Sequence, residues 1–191
     1  LGFLAGITGP EVSCPFDKRS NGIILGEGAC VLILEKESNA KARKAKIYST
    51  IDGTGSYFEA YKLGKYHPQA EGIRLAMKQA LKNSNKSPKE ISYISASANS
   101  VLGQDTLETQ AIMDTFGSHS NTVAVTALKS LTGELFSSSG LFQIAAAAGS
   151  FSDNFIPAIA NLEAINETCD LNLVQEVQSS RMYSSVLPEP N

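Results

Sequence analysis

The most regular alternation of apolar and polar positions runs over residues 68–83. Ile73, Ala76, Met77, Ala80 and Leu81 recur at i, i+3, i+4, i+7 and i+8, which is one face of a 3.6-residue period and predicts a helix. A second helix is predicted over residues 105–116. Asp105 reads as its N-cap with acidic Glu108 at N3, Leu107, Ala111, Ile112 and Phe116 point inward, and Gly117 stops it. Residues 38–44 are polar and Ala-rich, an exposed helix. Residues 87–90 (SPKE) carry a capping-box pattern with Pro at N1, opening a brief helical turn. Residues 131–150 are small and apolar, the composition of a helix packed closely on its neighbours. Between these lie short runs that read as strands: 29–35 (ACVLILE), 46–53 (KIYSTIDG), 91–96 (ISYISA), 122–126 (TVAVT) and 155–160. The first is bounded by Leu25-Gly26-Glu27-Gly28 and is expected to be a buried strand.

Strands separated by helices predict an α/β layered domain with a largely parallel sheet and helices on both faces. No repeat, low-complexity stretch or interdomain linker divides the 191 residues, so one domain is expected over 1–191, with 179–191 an extended tail. The start, Leu1 to Ile7, has no basic n-region and no initiator Met. It reads as the middle of a helix in something longer, not as a signal peptide.

A formal net charge of −3 argues against a broad basic surface, so nucleic acid is a poor candidate partner. No apolar run approaches 18 residues, so no membrane span is expected. Cys14, Cys30 and Cys169 are widely spaced and odd in number, which disfavours a disulfide framework or zinc site and points to a reducing cytoplasm. No cofactor or metal is expected.

Several segments, in order, resemble the β-ketoacyl synthase (condensing-enzyme) family of thiolase fold. Cys14-Pro15-Phe16-Asp17-Lys18, Asn21-Gly22 and Leu25-Gly26-Glu27-Gly28-Ala29 are similar to that family's RPFD…DG…GEGAG segment. Ile91 to Ile94 resembles the strand leading to its first histidine. Asp105, Glu108, Thr109, Ala111 and Ile112 resemble its D..ET.AI helix, and Lys129-Ser130-Leu131-Thr132-Gly133 its K-S-x-T-G motif. The resemblance implies a thiolase-like layered fold with a mixed, largely parallel sheet. Of this the chain would be the C-terminal lobe, incomplete without an N-terminal half carried on its own or a separate polypeptide.

In active members, the resemblance implies, a Cys takes an acyl chain as a thioester while two histidines and a lysine assist malonyl decarboxylation and condensation on acyl carrier protein. A thiolate is the nucleophile such chemistry needs, and donors must stabilise the enolate oxygen. Here Ser97-Ala98-Asn99 stands for the family's His-Gly-Thr, Glu134 for its second histidine, and the nucleophile's half is not in the chain. Ser97 gives one weak hydrogen bond, and an ionised Glu134 is an acceptor only. His67 and His119 do not replace the lost pair. The resemblance is therefore to the non-catalytic chain-length-factor subunits of type II polyketide and aryl-polyene systems. These pair as heterodimers with an active ketosynthase, shape its acyl tunnel and meet acyl carrier protein.

Lys129 reads as a relict active-site lysine or as half of a structural ion pair, with Glu108 the partner suggested. Glu134 reads as a new general base or as a satisfied residue near a helix N-terminus. Ser97 lacks a GxSxG elbow and an identifiable base, which weakens a nucleophile role. Cys14 and Cys30 read as ordinary small residues, and the glycines of 25–28 as turn formers. The basic cluster Lys41-Ala42-Arg43-Lys44 reads as a solvated helix face or as a contact for an acidic carrier. Two alternatives stay open: part of an active synthase whose Cys lies in the missing half, and a plain acyl-binding or interaction module.

Overall fold

The computed structural model describes residues 11–62, 65–179 and 184–186; the expected helical start at Leu1 to Ile7 lies outside them. The central sheet has three parallel strands in the order β2-β1-β5: β1 is Tyr93–Ala96, β2 Ala124–Ala127 and β5 Ser185–Val186. Tyr93 pairs with Ala124 on one side and Ser185 on the other. A two-stranded antiparallel ribbon joins β3 (Phe155–Ile156) to β4 (Gln178–Ser179). Thus Ser179, Ser185 and Val186, expected in an extended tail, are strand residues, and the other residues of 180–191, apart from Ser184, lie outside the described ones.

The pleat sends alternate residues of the central strands to opposite faces. Ile94, Ala96, Val125 and Ala127 pack into one apolar cluster with Met77 and Leu81 of α2 (Glu71–Asn83) and with Ala111, Ile112 and Phe116 of α3 (Leu102–Phe116). Tyr93 and Ala124 pack on the other side with Ala147 of α5 (Ser139–Asp153), Ile156 and Val174. Helices therefore cover both faces, and α5 is the small-residue helix expected from 131–150. That stretch is broken in two. The single turn α4 (Lys129–Thr132) ends at Gly133, whose φ is +70°, and α5 begins six residues later. The exposed helix expected at 38–44 is α1 (Glu37–Ala42), and Ser87 forms the capping box with Glu90.

Two expectations fail. Helix α3 starts at Leu102 with Val101 as N-cap, so Asp105 lies inside the first turn. Its carboxylate is engaged by backbone N–H groups of other segments and is not free to cap its own helix. Residues 29–35 and 46–53 form no strand; Val31 is 86% and Ile33 91% exposed. Their composition suits a sheet, but among the described residues no strand lies beside them to complete one. Residues 49–57 instead run along one side of α2. There, with α5, they wall a cleft of roughly 630 Å³ lined by Ile73, Met77, Ile144 and Phe151 among others. Among the described residues no helix is long and apolar enough to cross a membrane.

Candidate functional site

The site assembles where β1 and β2 end and the loops that follow them meet. After β1, Ser97 to Ser100 turn sharply, with Ser100 at φ +73°. Two carboxylates one helical turn apart on α3 hold that turn. Glu108 Oε1 accepts the N–H of Ser97 at 2.8 Å. Asp105 accepts the N–H of Asn99 on one oxygen and of Phe16 on the other, both at 3.1 Å. Asp105 is 2% exposed. Burial pushes its carboxyl up to about 6, against the lowering effect of the Phe16, Asn99 and Ser100 N–H groups and the charge of Lys129. The two acidic residues expected to support the site therefore act on the backbone of the loop that carries Ser97.

After β2, α4 delivers Lys129, and the Gly133 turn delivers Glu134. A Cβ at Gly133 would lie 2.9 Å from the Ile24 carbonyl oxygen and the Gly26 nitrogen. That close approach lets the Glu134 N–H donate to Ile24 O and the Gly26 N–H to Glu134 O. Gly26 is needed for the same packing: a Cβ there would lie 2.0 Å from Thr132 O. The glycine motif of 25–28 thus serves close backbone contact beside the site.

Lys129 Nζ donates to Ser97 Oγ at 2.9 Å and pairs with Glu134 Oε2 at 3.2 Å. Glu134 Oε2 also accepts from Asn99 Nδ2 at 2.9 Å, and Oε1 accepts from Ser139 Oγ at 2.8 Å and the Phe136 N–H at 2.9 Å. Burial opposes ionisation of Glu134, but the Asn99 amide, the Lys129 charge and the Ser139 hydroxyl outweigh it and hold the carboxyl below its usual range. Ser97, Lys129 and Glu134 are all buried. The residues expected from the two family histidine positions and the retained lysine therefore converge on one another. Sequence reasoning gave no role to Asn99, whose available signal was its spacing two residues after Ser97, and it read Ser139 as close helix packing or tunnel lining, not as a Glu134 donor.

Chemically, Lys129 is committed to Ser97 and Glu134: its Nζ is engaged by the Glu134 carboxylate and the Ser97 hydroxyl. Glu134 spends its lone pairs on four donors. The cavity beside Ser97, Asn99 and Glu108 measures about 30 Å³, with Tyr66 at its wall hydrogen-bonded to Gln104. That is room for about one water molecule, not a substrate. Among the other candidates, His119 bonds Ile91 O and Thr122, and His67 lies 3.8 Å from Glu71. Lys41 and Arg43 pair with Glu37 and Glu35 on the surface. Cys14 is buried, and burial, with the Asp17 charge beside it, pushes its thiol up. Sequence reasoning also missed a structural clamp. Fully buried Asp17 takes a two-pronged contact from Arg19, at 2.9 and 3.2 Å, and the N–H groups of Glu163 and Ala164.

A parallel sheet covered on both faces, with a buried lysine and carboxylate at its strand ends, is the framework of a thiolase-like ketosynthase lobe. The ishigamide ketosynthase/chain length factor superposes on 95% of this chain and 43% of its own with a TM-score of 0.85 and 29% identity. A type II polyketide ketosynthase in complex with its acyl-carrier protein (AntDE:AntF) reaches a TM-score of 0.92 over 97% of this chain and 46% of its own; at 24% identity that likeness speaks to the fold. Residues 48–163 match the family described as "Beta-ketoacyl synthase, C-terminal domain", and the chain belongs to that family. The 3-oxoacyl-[acyl-carrier-protein] synthase 2 of Coxiella burnetii (strain RSA 493 / Nine Mile phase I) is 37% identical over 164 residues, 86% of this chain and 40% of the relative. That of Synechocystis sp. (strain ATCC 27184 / PCC 6803 / Kazusa) is 38% identical over the same length, 39% of the relative. The chain thus spans about 40% of the length of these relatives.

Proposed function

We propose that the chain is part of a non-catalytic, ketosynthase-like subunit of the chain-length-factor kind. It pairs with an active β-ketoacyl synthase and helps shape the acyl tunnel in which acyl and malonyl units on acyl carrier protein condense. One observation carries this: Lys129 is tied to Ser97 and Glu134 in a buried cluster, where decarboxylation needs donors facing an enolate. The likeness to a ketosynthase/chain length factor structure is in keeping with it. The test is carbon dioxide release from malonyl-loaded carrier protein by the purified polypeptide alone. None above background is expected, and Glu134→Gln should not create any; release at the rate of an active synthase refutes the proposal.

A second reading has its own support, because the relatives at 37% and 38% identity are named as synthases. In it the chain belongs to an active acyltransferase whose nucleophilic Cys lies in the preceding half. Transfer of a labelled acyl group from carrier protein onto the polypeptide containing this chain decides for that reading.

A further inference from the structure

Asn21-Gly22 is the one Asn-Gly pair in the chain. That pair is the sequence most prone to lose a side-chain amide, because a glycine, with no Cβ in the way, lets its nitrogen swing onto the preceding side-chain carbonyl carbon. The candidate site makes no use of it. Its amide also stands apart from the others. Asn83, Asn99, Asn161 and Asn172 each donate from Nδ2, to Thr54 O, Glu134 Oε2, Ser13 O and Thr122 O. Asn21 Nδ2 is buried and has no hydrogen-bond partner among the described residues. A buried polar atom left so calls for an explanation, and no hydrogen bond ties this nitrogen down.

What restrains the pair is its second residue. Gly22 is buried, and its N–H donates to Ser100 O at 2.8 Å. Ser100 is fully buried at φ +73°, and its Oγ accepts the Cys14 N–H at 2.7 Å. It closes the turn that begins at Ser97, which Asp105 holds through the N–H groups of Asn99 and Phe16. The nitrogen that would attack Asn21 is therefore held by the turn that carries the candidate site.

We infer that Asn21-Gly22 is a deamidation site, held shut by the turn after β1 and reactive when that turn opens. With Ser100 O released, base takes the Gly22 amide proton and the nitrogen attacks Asn21 Cγ. The Cγ–Nδ2 bond breaks, and that nitrogen takes up a proton and leaves as ammonia. Water then opens the cyclic imide. Opening at one carbonyl leaves aspartate and at the other isoaspartate. One ammonia has left, one water has entered, and nothing is oxidised or reduced. The isoaspartate product sends the main chain through the former side chain, one carbon longer, so the Gly22 N–H no longer meets Ser100 O in register. Asn99, next to Ser100, donates to Glu134, so the lesion also loosens the Lys129–Glu134 cluster. None of this depends on whether the polypeptide is catalytic.

The test incubates the full chain in mildly alkaline buffer, with and without denaturing urea, and follows each asparagine by peptide mapping that separates aspartate from isoaspartate. In urea Asn21 should convert faster than any other asparagine. In the folded chain it should convert at least roughly tenfold more slowly than in urea, as a locally protected group does, and the Gly22 amide should exchange slowly with deuterium. Asp105→Ala frees the Asn99 and Phe16 N–H groups, and should speed Asn21 conversion severalfold while Asn83, at the end of α2, keeps its wild-type rate. If that variant does not fold, or speeds Asn83 as well, wild type in sub-denaturing urea takes its place. There, Asn21 conversion and Gly22 exchange should rise together, ahead of the loss of helical circular dichroism. Asn21 converting equally fast folded and unfolded, or no faster than Asn83 in urea, overturns the inference. So does an Asn21 rate that a folded Asp105→Ala leaves unchanged, or one that rises only with global unfolding.

Discussion

Replacing Lys129 by methionine keeps most of the length of the side chain and deletes its charge. Glu134 would then sit buried, 7% exposed, without a counter-ion. Breaking a buried pair by removing one partner costs about 3–5 kcal/mol. Glu134 keeps Asn99, Ser139 and the Phe136 N–H as donors, which places the cost at the low end, about 3 kcal/mol. For a domain of this size each kcal/mol moves Tm by about 2–4 °C, so a fall of roughly 6–12 °C is expected. Adding Glu134→Gln to Lys129→Met removes both charges, and the pair should recover about 2 kcal/mol relative to the sum of the single variants. The sign of the pH dependence follows from the carboxyl. Glu134 is held below its ordinary pKa, so the pair's contribution is present above the unfolded value and is lost as pH falls through the folded one. The Lys129→Met penalty should therefore shrink in acid. Melts of the four proteins at neutral and acid pH, followed by circular dichroism, make the measurement. A Tm within about 2 °C of wild type for Lys129→Met, or a strictly additive cycle, refutes a buried, coupled pair.

Other outcomes can be measured independently. Asp17→Asn should cost about 2–4 kcal/mol, because Arg19 and the Glu163 and Ala164 N–H groups lose their anion. Burial opposes ionisation of Asp17, but those donors hold its carboxyl well below the usual range. Stability that wild type loses on acidification should thus be missing from the variant at every pH, which chemical denaturation at several pH values reads. Asp105 behaves oppositely: with a folded pKa of about 6, its ionisation penalises the fold above that pH and the penalty vanishes below the unfolded pKa. Carbon-detected titration of its carboxyl should show a midpoint near 6; an ordinary carboxylate midpoint contradicts its burial. Gly133→Ala should destabilise by roughly 1–3 kcal/mol, since φ is +70° and a Cβ meets backbone at 2.9 Å; an unchanged Tm counts against that turn.

The elements legible in the sequence were those whose signal is local. The period through Ile73, Met77 and Leu81 gave α2, and the run ending at Phe116-Gly117 gave most of α3. The short apolar runs around Ile94 and Val125 gave the two best-formed strands. Residues 29–35 carry an equally strong strand composition and form none, because a strand is a property of a pair and periodicity says nothing of the neighbour. At the site, order along the chain pointed to Ser97, Lys129 and Glu134, and these three do meet. Which carboxylate pairs with the lysine was not legible. The pairing of Lys129 with Glu134 depends on Gly133 directing the Glu134 backbone against Ile24 and Gly26. The Asp17 clamp was hidden for the same reason, since its other partners lie nearly 150 residues away.

The central claim is that this chain's polypeptide carries no acyl group during condensation. Intact mass of every polypeptide in the native assembly, after incubation with acyl-loaded carrier protein, measures that directly. The account predicts the acyl mass on a partner ketosynthase alone, with the polypeptide containing these 191 residues unmodified. An acyl adduct on that polypeptide, lost on treatment with hydroxylamine as a thioester is, would contradict it.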